Sequence, residues 1–195
     1  MPHPTVAPIV EGHGEMPAVR ALITRTCLEV HGTYAEVTPP FRLDSAKMRK
    51  PEELAKALRV QAARVPGAAG GVLVLRDGDD ADTTCPVELA VSMAPAPGTV
   101  PVPVEVVIAR HEYEAWFLAA AESLRSHPCV LDDATAPPDP EGKRDAKGVL
   151  RTIMNESYKE TLHQAKFSAL MDMDLAMERS RSFRRMVSAV GSLLG

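Results

Sequence analysis

Blocks of apolar residues, each ending in charge or a turn, organise the first two-thirds of the chain. Thr5 to Val10 is a short apolar run that stops at Glu11-Gly12, the pattern of a buried strand. A helix is predicted from about Glu15, with Pro17 tolerated in its first turn. Val19, Leu22, Ile23, Cys27 and Val30 then share one helical face, and Gly32 supplies the stop. A short strand is expected around Tyr34 to Val37, before Pro39-Pro40. Pro51-Glu52-Glu53 opens a second helix with acids where the helix dipole favours them, and its apolar stripe is Leu54, Leu58, Ala62 and Val65. Gly71 to Leu75 is the clearest strand, apolar throughout and then polar at Arg76-Asp77. Residues 86–93 predict a short helix, Val102 to Ala109 a strand, and Glu112 to Leu124 a helix. Continuous apolar strands alternating with helices argue for an α/β fold: a doubly wound, mainly parallel sheet with helices on both faces.

Residues 126–142 interrupt this pattern with Pro128, Pro137, Pro138 and Pro140, four acids and no bases, and predict an exposed loop. Beyond it no strand is evident. Residues 146–154 and 158–171 read as helical, and Phe183, Met186, Val187, Val190, Leu193 and Leu194 form a strong helical stripe. The expected organisation is therefore an α/β domain over 1–125, a Pro-rich acidic loop over 126–142, and an α-helical extension over 143–195 packed on the domain.

The 195 residues are enough for one domain with a proper core, and 45% hydrophobic with 25% charged residues is ordinary for a globule. Aromatics are only 4%, so Trp116 and Phe117 read as core, and the packing rests on Val, Leu, Ala and Met. A net charge of −4 excludes a uniformly basic nucleic-acid coat, though not a local basic face. Cys27, Cys85 and Cys129 contain no C-x-x-C, and an odd count without a signal peptide reads as reduced thiols in a cytoplasm. No apolar run approaches the ~20 residues that span a bilayer.

In open α/β sheets ligands bind beyond the carboxyl ends of the strands, and here three strands run into acids. They are Glu11 and Glu15, then Asp77, Asp79 and Asp80, then Glu112 and Glu114. Carboxylates gathered at one edge resist ionising unless a cation joins them, and Mg²⁺ or Mn²⁺ suits such oxygen donors. Glu11, Asp77, Asp79 and Asp80 are thus candidate ligands, with either Glu112 or Glu114 completing the set. His13 and His111 adjoin the cluster and read as polar loop residues. The tail carries the opposite sign: from Lys143 to Arg185 ten bases face six acids, and Arg179, Arg181, Arg184 and Arg185 lie within seven residues. Arg181, Arg184 and Arg185, with Lys143 and Lys147, are candidate contacts for nucleic acid or an acidic partner, against the plainer reading of a solvated helix face. Lys143, Lys147 and Lys159 are candidates to stabilise developing negative charge. At least one of Arg184 and Arg185 is expected to point outward with its guanidinium free.

A Glu-Gly after the first strand and Asp-x-Asp after a later one, here Glu11-Gly12 and Asp77-Gly78-Asp79, resemble the Toprim pattern shared by topoisomerases, primases and OLD-family nucleases. The stretches VEGHGE, VLVLRDGDD and ARHEYEAWFLA resemble a small bacterial Toprim-like family, domain of unknown function 4276. Tyr158-Lys159 and Ser182-Phe183-Arg184-Arg185 are similar to its carboxyl-terminal half. The resemblance implies a Toprim-like fold with a metal-binding acidic edge. Glu11 would move protons or hold metal, Asp77 and Asp79 would be ligands, and Glu15 would match a further glutamate of the OLD-type relatives. It also implies an ABC-type or OLD-type ATPase as a working partner, often in phage defence.

Two functions stand side by side at this level. One is a Mg²⁺- or Mn²⁺-dependent phosphodiesterase acting on DNA or RNA, with Glu11, Glu15 and Lys159 as the catalytic candidates. The other is a non-catalytic module that docks the ATPase. The assembly state, a homodimer included, is left open by the sequence.

Overall fold

A computed structural model describes residues 3–66, 69–79, 85–142 and 144–195. The candidates Asp80 and Lys143 lie outside the described residues. Five strands, β1 (Thr5–Val10), β2 (Glu36–Val37), β3 (Phe41–Arg42), β4 (Gly70–Asp77) and β5 (Val104–Ala109), form one parallel sheet of order β2-β1-β4-β5, with β3 also on β1. The doubly wound α/β architecture is therefore present. The strand expected near Tyr34 is reduced to β2 beside Thr5 and Val6. After Pro39-Pro40, which offer no N–H to a ladder, the chain rejoins β1 as β3 beside Ile9 and Val10.

Alternation along the strands assigns the two faces. Val6, Val10, Leu73, Leu75, Val107 and Ala109 face one core, and Ala7, Ile9, Val72, Val74, Val106 and Ile108 the other. Helices α2 (Ser45–Met48) and α3 (Pro51–Ala62), with α4 (Pro86–Met93), belong to the second face, where Met48, Leu54, Leu58 and Met93 are buried. The sequence pattern did not show α2, which is one turn capped by Asp44 through the Lys47 N–H.

The first face is covered by α1 (Glu15–Arg25) and α9 (Arg181–Leu194), helices far apart in sequence. The predicted first helix persists to Val30, its last five residues widened into a π turn, and Gly32 ends it with φ +60°. In α9 the expected stripe is buried at Phe183, Met186, Val187, Val190 and Leu193. Ser180 caps this helix by accepting the Phe183 N–H. The helical extension thus completes the same core as the strands.

Two expectations change. The helix expected over 112–124 is split into α5 (Glu114–Ala119) and a 3₁₀ segment over Ala121–Ser126. Its start is delayed because His111 adopts φ +65° and Asp77 takes the Tyr113 N–H. Residues 126–142 are not a wholly exposed loop: Cys129, Val130, Ala134 and Glu141 are buried. The Glu141 carboxylate accepts from Ser180 Oγ and from the N–H groups of Arg181 and Ser182, so this acid fastens the loop to the start of α9. Helices α6 (Ala146–Thr152), α7 (Glu160–Leu170) and α8 (Met173–Arg179) follow. Among the described residues no helix is long and apolar enough to cross a membrane, and Cys27, Cys85 and Cys129 form no disulfide.

Candidate functional site

The carboxyl ends of β1, β4 and β5 bring Glu11, Glu15, Asp77, Glu112 and Glu114 to one edge, joined by Lys147 from α6. Each position has a local cause. Glu15 opens α1 with its side chain folded back, so that Oε2 accepts the Glu11 N–H at 3.1 Å. Asp77 ends β4, and its Oδ1 accepts the Tyr113 N–H at 2.8 Å, tying two strand ends together. Glu114 begins α5, is 1% exposed, and its Oε1 accepts the Tyr158 hydroxyl at 2.9 Å. Glu112 and Glu114 part in space: Glu114 joins the buried acids, whereas Glu112 accepts the Lys147 N–H and helps seat α6. Gly14 permits the close approach of α7, since a Cβ there would collide with Gln164 and Glu160.

Lys147 Nζ lies 3.2 Å from Glu160, 3.4 Å from Glu114 and 3.9 Å from Glu112. Arg76, fully buried, faces Glu11 at 3.7 Å and donates to Ser45 Oγ. Burial and the neighbouring Glu15 and Glu114 charges push the Asp77 carboxyl well above the ordinary range. Glu114 is raised by burial against the opposing pull of Lys147. Burial pushes Glu15 up to about 7, although the Glu11 and Gly12 N–H groups favour its ionised form. Each raised value says that ionisation costs folding energy here.

This sets a pH dependence. Glu15 shifts from 4.5 to about 7, so the stability tied to its protonated form is complete below pH 4.5 and lost as pH rises through 7. The loss is on the order of 3 kcal/mol at about 1.4 kcal/mol per pH unit. In EDTA, Glu15→Gln should flatten the fall of stability between pH 5 and 8, because the amide keeps an oxygen for the Glu11 N–H and never ionises. Urea unfolding midpoints across that range check it; parallel curves for variant and wild type would show that Glu15 does not carry the dependence.

The remaining candidates sit apart from the buried acids. Asp79 is exposed, and its carbonyl accepts from Arg144. Lys159 is exposed at the start of α7, with its backbone N–H on His163 Nδ1. His13 is exposed; His111 has a buried Nδ1 with no hydrogen-bond partner among the described residues. The expectation of a free guanidinium at Arg184 or Arg185 is not met. Arg184 donates to the Met177 and Glu178 carbonyls, and Arg185 pairs with Glu105 at 2.5 Å. Arg179 pairs with Glu122 at 2.7 Å. Arg181 is exposed, and its side chain has no partner among the described residues. Helix ends expose carbonyls and β5 presents a carboxylate, and these take up the guanidinium groups nearest them.

Sequence reasoning passed over Arg76, Glu160 and the hydroxyl of Tyr158. The signal for Arg76 was present: a charge inside an apolar strand must be buried, and a buried charge needs a partner.

A mainly parallel sheet wrapped by helices, with acids and a lysine gathered at its carboxyl edge, defines a doubly wound α/β protein, the class in which that edge is where ligands bind. Residues 10–191 match the family described as Domain of unknown function (DUF4276), and the chain belongs to that family. No curated protein and no solved structure matches it significantly.

Proposed function

We propose that the protein is a Mg²⁺- or Mn²⁺-dependent phosphodiesterase of Toprim type, akin to OLD-family nucleases, cleaving DNA or RNA alongside an ABC-type or OLD-type ATPase. The observation that carries this reading is the convergence of Glu15, Asp77 and Glu114 at the carboxyl edge, their charges held back by burial. The donor set is all oxygen, the preference of hard divalent ions. Glu114 Oε2 is buried, accepts no hydrogen bond among the described residues and faces Lys147 at 3.4 Å, so positive charge already stands where an ion would sit.

Asp77, Glu114 and Glu11 would hold the ion, with Asp79 at the outer rim. A bound Mg²⁺ or Mn²⁺ would polarise the phosphate and acidify a water. Glu15, titrating near neutrality, is suited to accept the proton of that water and return it. Lys147 would stabilise charge developing on the phosphate oxygens once it leaves the carboxylates. Tyr158 keeps Glu114 in place, and Arg76 keeps Glu11. Arg181 is suited to a phosphate of the bound strand.

A second reading, an interaction module docking an ATPase without cleaving, draws on Lys147, which neutralises the acids with no metal at all. Incubation of the full chain with labelled DNA and RNA, with Mn²⁺ or EDTA, separates the two. Cleavage in Mn²⁺ that Glu15→Gln abolishes supports the enzyme; no cleavage, with tight capture of a co-encoded ATPase, supports the module. Arg181→Glu should leave stability unchanged and reduce the salt slope of nucleic-acid binding by about one contact. An unaltered slope would return Arg181 to a solvated helix face.

A further inference from the structure

A second group of ligand-type side chains lies outside the acidic edge, where the segment after α5 meets the turn before α7. Val130 and Met154 form an antiparallel bridge, and the Asn155 N–H donates to the Cys129 carbonyl, so Cys129 is pinned beside the turn that carries Glu156. Among the described residues, Cys129, Glu156 and His163 have ligand atoms all within 4.8 Å of one another. His127 adds a fourth group, its Nδ1 2.9 Å from Cys129 Sγ.

The hydrogen bonds settle the tautomers. A backbone N–H can only donate, so the Lys159 N–H at 2.9 Å makes His163 Nδ1 an acceptor and leaves the proton on Nε2. That Nε2–H donates to Glu156 Oε1 at 2.9 Å. The Cys129 N–H at 3.3 Å likewise makes His127 Nδ1 an acceptor, with its lone pair turned toward the thiol. His163 is therefore committed to orienting the carboxylate, whereas the His127 Nδ1 lone pair, shared with the Cys129 N–H only at 3.3 Å, lies closest to Cys129 Sγ and can pass to an ion there.

We propose that Cys129 Sγ, His127 Nδ1 and a Glu156 carboxylate oxygen form a binding site for Zn²⁺, with His163 Nε2–H steering Glu156 from outside the ligand set. Sulfur, nitrogen and carboxylate oxygen together suit this borderline ion and not Mg²⁺. Zinc–ligand distances of about 2.0–2.3 Å separate tetrahedral neighbours by roughly 3.5 Å, so the imidazole and thiol need only open slightly. Binding converts the Cys129 S–H to a thiolate and releases its proton to solvent, so affinity rises with pH. The Glu156 side chain is 56% exposed, which gives the ion a path in and leaves the fourth position to water. Ligating carboxylates are in turn hydrogen-bonded from outside the ligand set, and the His163 Nε2–H makes that bond to Glu156.

The test is Co²⁺ titration of the chelator-stripped full chain, followed by absorption. The thiolate-to-cobalt charge-transfer band and the visible bands of a four-coordinate ion should saturate at one equivalent bound at this site. Zn²⁺ should bleach both, and excess Mg²⁺ should not. Cys129→Ser should remove the charge-transfer band while keeping the metal-free melting temperature. Should that variant not fold, His127→Ala carries the same test, with loss of Co²⁺ affinity as the readout. His163→Asn should weaken Co²⁺ binding about 10–100-fold without removing the band, and Asp77→Asn at the acidic edge should leave the charge-transfer band and its midpoint unchanged. A titration with no charge-transfer band, or a band that survives Cys129→Ser, would overturn the site.

Discussion

Asp77→Asn is expected to raise the melting temperature of the protein in EDTA at pH 8 and to lack the further rise expected of the wild type in Mg²⁺ or Mn²⁺. The fold should survive, because the asparagine oxygen can still accept the Tyr113 N–H that Asp77 Oδ1 takes at 2.8 Å. The gain in EDTA follows from charge. Asp77 ionises against burial, Glu15 and Glu114, so its charged form costs folding energy that a neutral amide does not. The loss of response follows from ligation: an ion at 100 times its Kd adds about 2.7 kcal/mol to a protein that binds it only when folded. Metal-dependent cleavage should fall by more than the roughly 10–100-fold that loss of an outer support costs. Calorimetry with and without Mg²⁺ decides the matter, and an equal Mg²⁺ gain in variant and wild type removes Asp77 from the ligands.

Lys147→Met should destabilise the protein by about 3 kcal/mol at pH 8, and by much less at pH 5. The methionine stem keeps most of the packing and removes the ammonium that stands 3.4 Å from Glu114. Glu114 is 1% exposed, and an unpaired buried carboxylate is what makes breaking a buried pair costly. The low end of the range applies because Lys147 is partly exposed and Glu160 more so. Acid relieves the penalty: Glu114 and Asp77 already sit above their ordinary range, so protonation removes the charge that lost its partner. Divalent cations should stabilise this variant more than the wild type, since no ammonium needs displacing. Urea unfolding at both pH values checks this; an equal loss at each would assign Lys147 to packing.

Hydrophobic period and turn residues by themselves determined much of this protein. Thr5–Val10 and Gly71–Leu75 could only be buried strands, and the stripes at Leu54, Leu58 and Ala62 and at Phe183, Met186 and Val190 could only face a core. Those periods depend on neighbours a few residues away, so the sequence carries them directly. The convergence of Glu11, Asp77 and one of Glu112 and Glu114 was also legible, because parallel strands put their carboxyl ends on one edge. What the tertiary structure alone decided is which groups meet across long separations. Lys147 enters the acids 35 residues after Glu112, and Glu114 rather than Glu112 turns inward because α5 begins only after Asp77 has taken the Tyr113 N–H. The arginine cluster, which reads in sequence as an open basic face, is mostly spent on local carbonyls and carboxylates. Cys129 and Glu156 look unrelated until the Val130–Met154 bridge lays their segments side by side. Charge and hydrogen-bond partners depend on distance in space, and spacing along the chain sets that distance only within a single helix or strand.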